Sequence, residues 1–226
     1  MYYYELHMHT AESSRCARSS AADMVAAYKE KGFTGVVVSD HLMNVQSHAR
    51  DEVVWEKRVD KQLAGYFAAK EAGNKLGIEV YCGWELTYRD NGEDYVTLGL
   101  SPQFLYDNPW CETWDIEKYR DAVHAAGGIL VRAHPYRQAW YIHTPCVERE
   151  GVADAIEVFN GGNSSQEEND KALAYAKAHN MPMTGGSDAH HVDETARGYI
   201  GLDEKAESYA ALCEAIKSGR AHVMHK

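Results

Sequence analysis

Glu5-Leu6-His7-Met8-His9-Thr10 closes the first apolar run of the chain, and its reading decides the fold. Two histidines at i and i+2 of a strand point to the same face, so both imidazoles can reach one ion. An open doubly wound sheet advertises a Gly-rich turn after its first strand, whereas this turn carries His7, His9 and Ser13. Reactive side chains delivered from the ends of many strands favour a closed β/α barrel instead. Far along the chain, Gly186-Ser187-Asp188-Ala189-His190 repeats the i, i+2 spacing with Asp188 and His190.

Working outward, seven short runs read as strands: Tyr2–His7, Gly35–Ser39, Ile78–Trp84, Tyr95–Leu100, Gly128–Ala133, Ala155–Phe159 and Met181–Thr184. Several are nearly continuous in apolar residues, as buried parallel strands are. Helical patterns lie between many of them. Ser20-Ala-Ala-Asp23 reads as a capping box opening a helix that stops near Gly32, and Ser165-Gln-Glu-Glu168 opens another running to about His179. Val54–Leu76 is a long amphipathic stretch, Asp115 caps a helix ending at Gly127-Gly128, and Glu207–Ser218 forms the last. Arg89–Asp94 reads as a polar turn between two strands. Alternating strands and helices imply a parallel α/β architecture in a single domain spanning residues 1–226.

A length of 226 residues, 45% hydrophobic and 25% charged, suits a globular chain with a large core. A net charge of -11 argues against phosphate-backbone binding, which normally shows a basic patch. On this ground nucleic acid is not expected as a partner. Five scattered cysteines without a C-x-x-C pair suit free thiols in a reducing cytosol. No signal-like segment precedes the first run and no apolar stretch approaches ~18 residues, so the expectation is a cytoplasmic protein without a membrane partner.

Nearly every run delivers a candidate ligand near its C-terminal end: His7 and His9, then His41 after Asp40, then Glu85, His134, and finally Asp188 with His190. Imidazoles mixed with carboxylates suit Zn, Mn or Fe rather than Ca or Mg. Seven candidates exceed the four groups of a tetrahedral ion. They imply two or three divalent metal ions, with Glu85 as a bridge. Paired metals about 3.5–4 Å apart generate hydroxide and clamp the entering and leaving oxygens of a phosphoryl displacement.

The motifs H-x-H-T, S-D-H, G-x-E, A-H-P and G-S-D-A-H, in this order from His7 to His190, resemble those of the PHP (polymerase and histidinol phosphatase) family. The resemblance covers nearly the whole chain and the combined set is highly specific. It implies a distorted seven-stranded (β/α)7, TIM-like barrel with a trinuclear metal site at its rim, and hydrolysis of phosphoesters by phosphatases, phosphodiesterases or nuclease modules. Carried over, the ligands are His7, His9, His41, Glu85, His134, Asp188 and His190. The chain departs from the pattern twice. Where relatives read H-x-H-T/S-x-x-S-D-G with the Asp, or a His one residue later, as ligand, this chain has Glu12-Ser13-Ser14-Arg15. Where they place a His on the fourth strand, it has Asp94-Tyr95-Val96. Glu12 and Asp94 are the candidate replacements.

Arg132, Arg137 and Arg15 are phosphate-binding candidates, because guanidinium forks match phosphate geometry. Arg137 is placed best at the rim, Arg15 stands beside the missing ligand, and Arg132 has an alternative as the buried partner of Glu157. Asp188 and Asp40 are candidates for proton transfer to the leaving group, with Asp40 otherwise orienting an imidazole or capping structure. Asn160 is positioned to hydrogen-bond the site or to form a turn. The expected activity is hydrolysis of a small phosphomonoester or phosphodiester through a metal-bridging hydroxide, on a small phosphorylated substrate. Two alternatives stand beside it. An amidohydrolase-type C–N hydrolase also begins with H-x-H, but these strand ends carry no Lys. A non-catalytic metal-binding module would follow from the lost ligand.

Overall fold

The computed structural model describes residues 1–89, 92–142 and 149–226, and Cys146 lies outside these residues. The described strands are β1 (Tyr2–Met8), β2 (Gly35–Val38), β3 (Glu79–Cys82), β4 (Trp84–Tyr88), β5 (Glu93–Leu98), β6 (Ile129–Arg132), β7 (Ala155–Asn160), β8 (Met183–Gly186), β9 (Gly198–Leu202) and β10 (His222–His225). The helices are α1 (Ala21–Glu30), α2 (Trp55–Leu76), α3 (Gln103–Asp107), α4 (Ile116–Ala125), α5 (Gln166–Ala178) and α6 (Tyr209–Lys217).

These strands form two five-stranded sheets, ordered β10-β9-β1-β2-β3 and β4-β5-β6-β7-β8. A parallel seven-stranded barrel is therefore not what the described ladders show. β5 runs antiparallel to both β4 and β6, and β9 antiparallel to β1 and β10. The cause is local. β4 follows β3 after Gly83 alone, and β4 returns into β5 through a short turn, which permits only antiparallel pairing. The third sequence run thus holds one strand and the start of another. Gly83 makes this passage between sheets possible, because a Cβ there would meet Val37 Cγ1 at 2.6 Å and the Thr97 carbonyl oxygen at 2.9 Å. The second sheet meets the first at both of its edges, β4 and the end of β8, through single parallel bridges, His41 with Glu85 and Met8 with Ala189. Every residue in those two bridges is a candidate ligand or sits beside one.

A central core draws Tyr4, Leu6, Val37, Leu98, Val131 and Ile200 from both sheets, with Leu212 and Ile216 of α6. Helices α1 and α2 pack against β1–β3 through Met24, Val25, Tyr28, Val36 and Val80. On the other sheet, the buried Trp84 donates its indole N–H to the Tyr119 hydroxyl of α4 at 2.6 Å. At α1 the cap read from sequence forms: Ser20 accepts from the Asp23 N–H at the helix start. At α5 the cap differs. Ser165 makes no side-chain cap bond, while Glu168 accepts from the Ser164 N–H (2.9 Å) and the Gln138 N–H (2.9 Å), tying the helix start to the rim after β6. Asp115 likewise makes no cap bond and pairs with Arg89 instead. No helix among the described residues is long and apolar enough to cross a membrane. Cys16, Cys82, Cys111 and Cys213 are free thiols.

One buried carboxylate pins the site end of β1 to the strand that delivers Asp188. Glu5 accepts from the Ser187 hydroxyl (2.5 Å) and N–H (3.0 Å), the Tyr28 hydroxyl (2.7 Å) and the His7 N–H (2.9 Å). Burial pushes its carboxyl up to about 7 despite these donors. A Glu5→Leu substitution strands several buried donors, each worth about 1–3 kcal/mol when unsatisfied. Urea unfolding should show a loss of at least about 2 kcal/mol.

Candidate metal centre

Each candidate ligand stands where a strand ends or two sheets meet. His7 lies in β1 with His9 just beyond it, His41 follows β2, Glu85 lies in β4 and Asp94 in β5. His134 and Asp188 each stand two residues past their strands, and both adopt left-handed backbone, with φ of 26° and 51°. Such conformations cost about 1–3 kcal/mol for ordinary residues and persist only where the surroundings impose them. Here they turn a carboxylate and an imidazole back into the site.

Glu85 is the hub. Its Oε1 lies 3.0 Å from His134 Nε2 and 3.3 Å from His7 Nε2, while its Oε2 lies 2.8 Å from His41 Nδ1 and 3.7 Å from His9 Nε2. Asp188 Oδ1 sits 3.1 Å from His9 Nε2 and 3.4 Å from His7 Nε2. Asp94 Oδ2 approaches His134 Nε2 at 3.8 Å. His9 stacks against both His41 and His190, with ring centroids 4.3 and 4.2 Å apart. All seven ligands carried over from the motifs thus converge, and Asp94 joins them.

The donor set fits divalent cations. Four triads have ligating atoms mutually within 4.8 Å: His9/His41/His190, His7/His134/Asp188, His7/His9/Glu85 and Glu85/Asp94/His134. His7 Nε2, His9 Nδ1 and Asp94 Oδ1 are buried without a hydrogen-bond partner. Buried polar atoms are rarely left so, and imidazole with carboxylate is the donor chemistry of transition-metal ions.

Protonation follows the same geometry. Burial disfavours a charged His7, yet the Asp188, Glu157 and Glu85 carboxylates overcome it and hold its pKa well above the usual value. His41 rises likewise against burial because of Glu85. His9 falls well below, through burial and the neighbouring His190 and His41. Burial and the Glu85 charge push Asp94 up. Burial also opposes ionisation of Asp188, but His7 and Arg137 hold its carboxyl well below the carboxylate range. Protons therefore occupy His7 and His41 at neutral pH wherever a cation does not.

The remaining candidates separate clearly. Arg137 Nη2 donates to Asp188 Oδ2 (2.6 Å) and to Asn160 Oδ1 (2.6 Å). It lines a cavity of about 220 Å³ together with Glu85, Asp94, His134, Asp188 and His190. Arg132 is buried, but it donates to the Asp94 carbonyl at 2.8 Å and lies over the Tyr95 ring. It makes no pair with Glu157 and does not line that cavity. Arg15 turns outward to Asp51 at 2.8 Å, both side chains well exposed. Glu12 accepts from the Ala21 N–H and so caps α1, away from the ligands. Asp40 is taken up by the Thr10 N–H (2.7 Å), the Thr10 hydroxyl (2.7 Å) and the Ser14 hydroxyl (2.6 Å), which leaves it a brace for the loop after β1. Asp40 does not line the cavity.

Two residues enter the site that the motifs did not single out for it. Glu157 Oε1 lies 3.0 Å from His7 Nδ1, and Oε2 accepts from the His134 N–H (3.0 Å) and from Asn160 Nδ2 (2.8 Å). A lone Glu inside the apolar run Ala155–Phe159 was its only signal. Cys16 is the other: it lines the cavity and contacts His41 and His190. Burial opposes its ionisation, but the hydrogen bonds with His190 and His41 bring the thiol down to about 7. Its signal was position alone, one residue beyond Glu12–Arg15.

Comparison with known proteins gives likenesses of sequence and of fold. The family model described as PHP-associated matches residues 166–221, which carry α5, β8, Asp188, His190, β9 and α6. That match covers 56 of the chain's 226 residues. An uncharacterized protein of Methanocaldococcus jannaschii is 33% identical over 96 residues, an alignment spanning 40% of this chain and 40% of that relative. A solved two-domain protein from Bacteroides vulgatus, containing a predicted PHP-like metal-dependent phosphoesterase, matches 99% of the chain with a TM-score of 0.69 at 19% identity. The lesion-specific endonuclease of Pyrococcus furiosus matches 99% with a TM-score of 0.62 at 14% identity. The chain spans 64% and 57% of those two structures, so at these identities the likeness is one of fold. A fold like this one is thus found in a nuclease. Net charge is consequently no ground for excluding nucleic acid, because recognition depends on charge local to the site.

Two outcomes follow. Glu157→Gln frees the His7 ring, and a chelator-competition titration should show metal affinity lower by about 10–100-fold. Binding must also displace protons from His7 and His41, whose pKa values are raised. Calorimetry in buffers of different ionisation enthalpy should therefore register net proton release near pH 7, with affinity weakening as pH falls.

Proposed function

We propose that this protein is a metal-dependent hydrolase of phosphoesters, working with two or three divalent ions of the Zn, Mn or Fe class. The residues that would hold them are His7, His9, His41, Glu85, Asp94, His134, Asp188 and His190. The observation that carries the reading is Glu85, whose two oxygens face different histidine pairs, the arrangement a carboxylate shared between two ions needs. Bound ions of this kind supply Lewis acidity toward phosphoryl oxygens and lower the pKa of coordinated water.

The chain's own residues do the rest. Arg137 presents a guanidinium to the cavity, fixed by Asp188 and Asn160. It suits neutralising a phosphoryl oxygen as charge builds there. Asp188, held ionised by His7 and Arg137, suits accepting a proton in the site rather than delivering one. Asp40, with its oxygens occupied, keeps the His9–Ser14 loop in place instead of protonating a leaving group. The cavity of about 220 Å³ takes a phosphoryl group with a small part of its substituent. This favours a small phosphoester or the exposed phosphate of a larger molecule.

His9→Ala and Asp188→Ala should each lower Mn- or Zn-dependent hydrolysis of p-nitrophenyl phosphate by more than about a hundredfold, since even supporting residues of metal sites account for 10–100-fold. Unchanged rates in both variants would overturn the assignment. Arg137→Ala should raise KM about tenfold or more, the equivalent of one charge-assisted hydrogen bond. A panel of sugar phosphates, nucleotides, oligonucleotides and amides, read by phosphate, strand-cleavage and amine assays, decides the bond class.

A further inference from the structure

Arg137 is gripped by more than its carboxylate partner. Its Nε donates to Asn163 Oδ1 at 3.1 Å, and its Nη2 donates to Asn160 Oδ1 and Asp188 Oδ2 at 2.6 Å each. A guanidinium carries its N–H groups in one rigid plane. Bonds at Nε and Nη2 fix that plane along one edge, and Nη1 is the end they leave over on a side chain that lines the cavity.

Both amides are set in one orientation from behind. Asn163 Nδ2 donates to Asn169 Oδ1 at 2.7 Å, so the Asn163 oxygen turns to Arg137. Asn160 Nδ2 donates to Glu157 Oε2 at 2.8 Å, so the Asn160 oxygen turns to Arg137 and to the Gly162 N–H, at 2.8 Å from the latter. Flipping either amide would set N–H against N–H. Asn169 Oδ1 also accepts from the Asn160 N–H at 3.0 Å, which ties the two amides together. Asn169 and its neighbour Glu168 lie almost fully buried in the first turn of α5. Glu168 in turn accepts from the Gln138 N–H and the Ser164 N–H, at 2.9 Å each. The start of one helix therefore holds Arg137 twice, through the backbone after it and through the amide at its Nε. Space on the remaining side is tight: a Cβ on Gly162 would meet Arg137 Nη2 and Asp188 Oδ2 at 3.0 Å each.

We propose that Asn163 and Asn169 are positioning residues, which lock the Arg137 guanidinium in the plane that offers Nη1 to a phosphoryl oxygen. The inference rests on the reading of Arg137 as the phosphate contact and adds the residues that orient it. An arginine already locked loses little rotamer freedom when the anion arrives, so the gain is read as tighter binding.

Asn163→Ala and Asn169→Ala are each made alone and together with Arg137→Ala, in the full chain loaded with Zn2+. Each single variant should raise KM for p-nitrophenyl phosphate, and the calorimetric Kd of inorganic phosphate, by about threefold to tenfold, as the loss of one hydrogen bond predicts. Metal equivalents should stay unchanged and kcat should stay within about twofold, the pattern of lost binding rather than lost chemistry. Neither variant should weaken phosphate binding further once Arg137 is alanine, because residues that act through one group are not additive. In 15N spectra the Arg137 Nε–H, assigned by its loss in Arg137→Lys, should exchange slowly in the parent and quickly in Asn163→Ala. Should Asn169→Ala fail to fold, the half-buried Asn163 decides alone. Equal penalties with and without Arg137 would overturn the positioning role and leave Arg137 as the phosphate contact. So would unchanged phosphate affinity in Asn163→Ala where Arg137→Ala still weakens it. Unchanged phosphate affinity in Arg137→Ala would overturn that contact and the positioning role with it.

Discussion

Four imidazoles around one buried carboxylate is the arrangement on which the rest of this structure depends. Glu85 is almost fully buried, and His7, His9, His41 and His134 approach its two oxygens from four directions. Burying so many ionisable groups is unfavourable unless each is paired or coordinates a metal. The cluster therefore has two self-consistent states: protons shared between histidines and carboxylates, or cations in their place. Either keeps the interior near neutral, and the competition between them couples metal binding to pH.

The fold is arranged to hold this cluster open. The two sheets meet by single bridges at His41–Glu85 and Met8–Ala189, so ligands from both sheets face one another across the seams. Glu5, Asp40 and Glu157 act behind them. Glu5 links β1 to Ser187, Asp40 braces the loop after β1, and Glu157 orients His7 and the His134 backbone. Gly186 belongs to the same support, because a Cβ there would collide with Glu157 Oε1 and His7 Cβ. The left-handed backbone at His134 and Asp188 is strain maintained by these neighbours, and it is located where ligand direction matters most.

Much of the site was legible in the chain because its ligands lie in short motifs with strand spacing. His7 and His9, and Asp188 and His190, reveal themselves by i, i+2 pairing at the ends of apolar runs. Asp94 was legible from the face it shares with Val96. The strand count was less so. Ile78–Trp84 reads as one apolar run, and only the break at Gly83 shows that Trp84 begins a strand of the other sheet. β9 and β10, with mixed residues such as Gly198-Tyr199 and His222-Val223, carry no clear alternation. Glu12 and Arg15 were placed near the missing ligand by sequence proximity, but in a tight loop neighbouring side chains diverge.

The sequence by itself carried the resemblance to the PHP family, the seven candidate ligands and their imidazole–carboxylate donor set, since these reside in residue identity and local spacing. The tertiary structure alone decided that two mixed sheets, rather than a closed parallel ladder, carry the ligands. It also decided that Glu157 supports His7, that Arg137 lines the cavity while Arg132 does not, and that Cys16 lines the same cavity as His41 and His190. These depend on contacts between residues such as Cys16 and His190, which are distant along the chain. Local periodicity carries no information about which remote side chains the packing of two sheets will bring together.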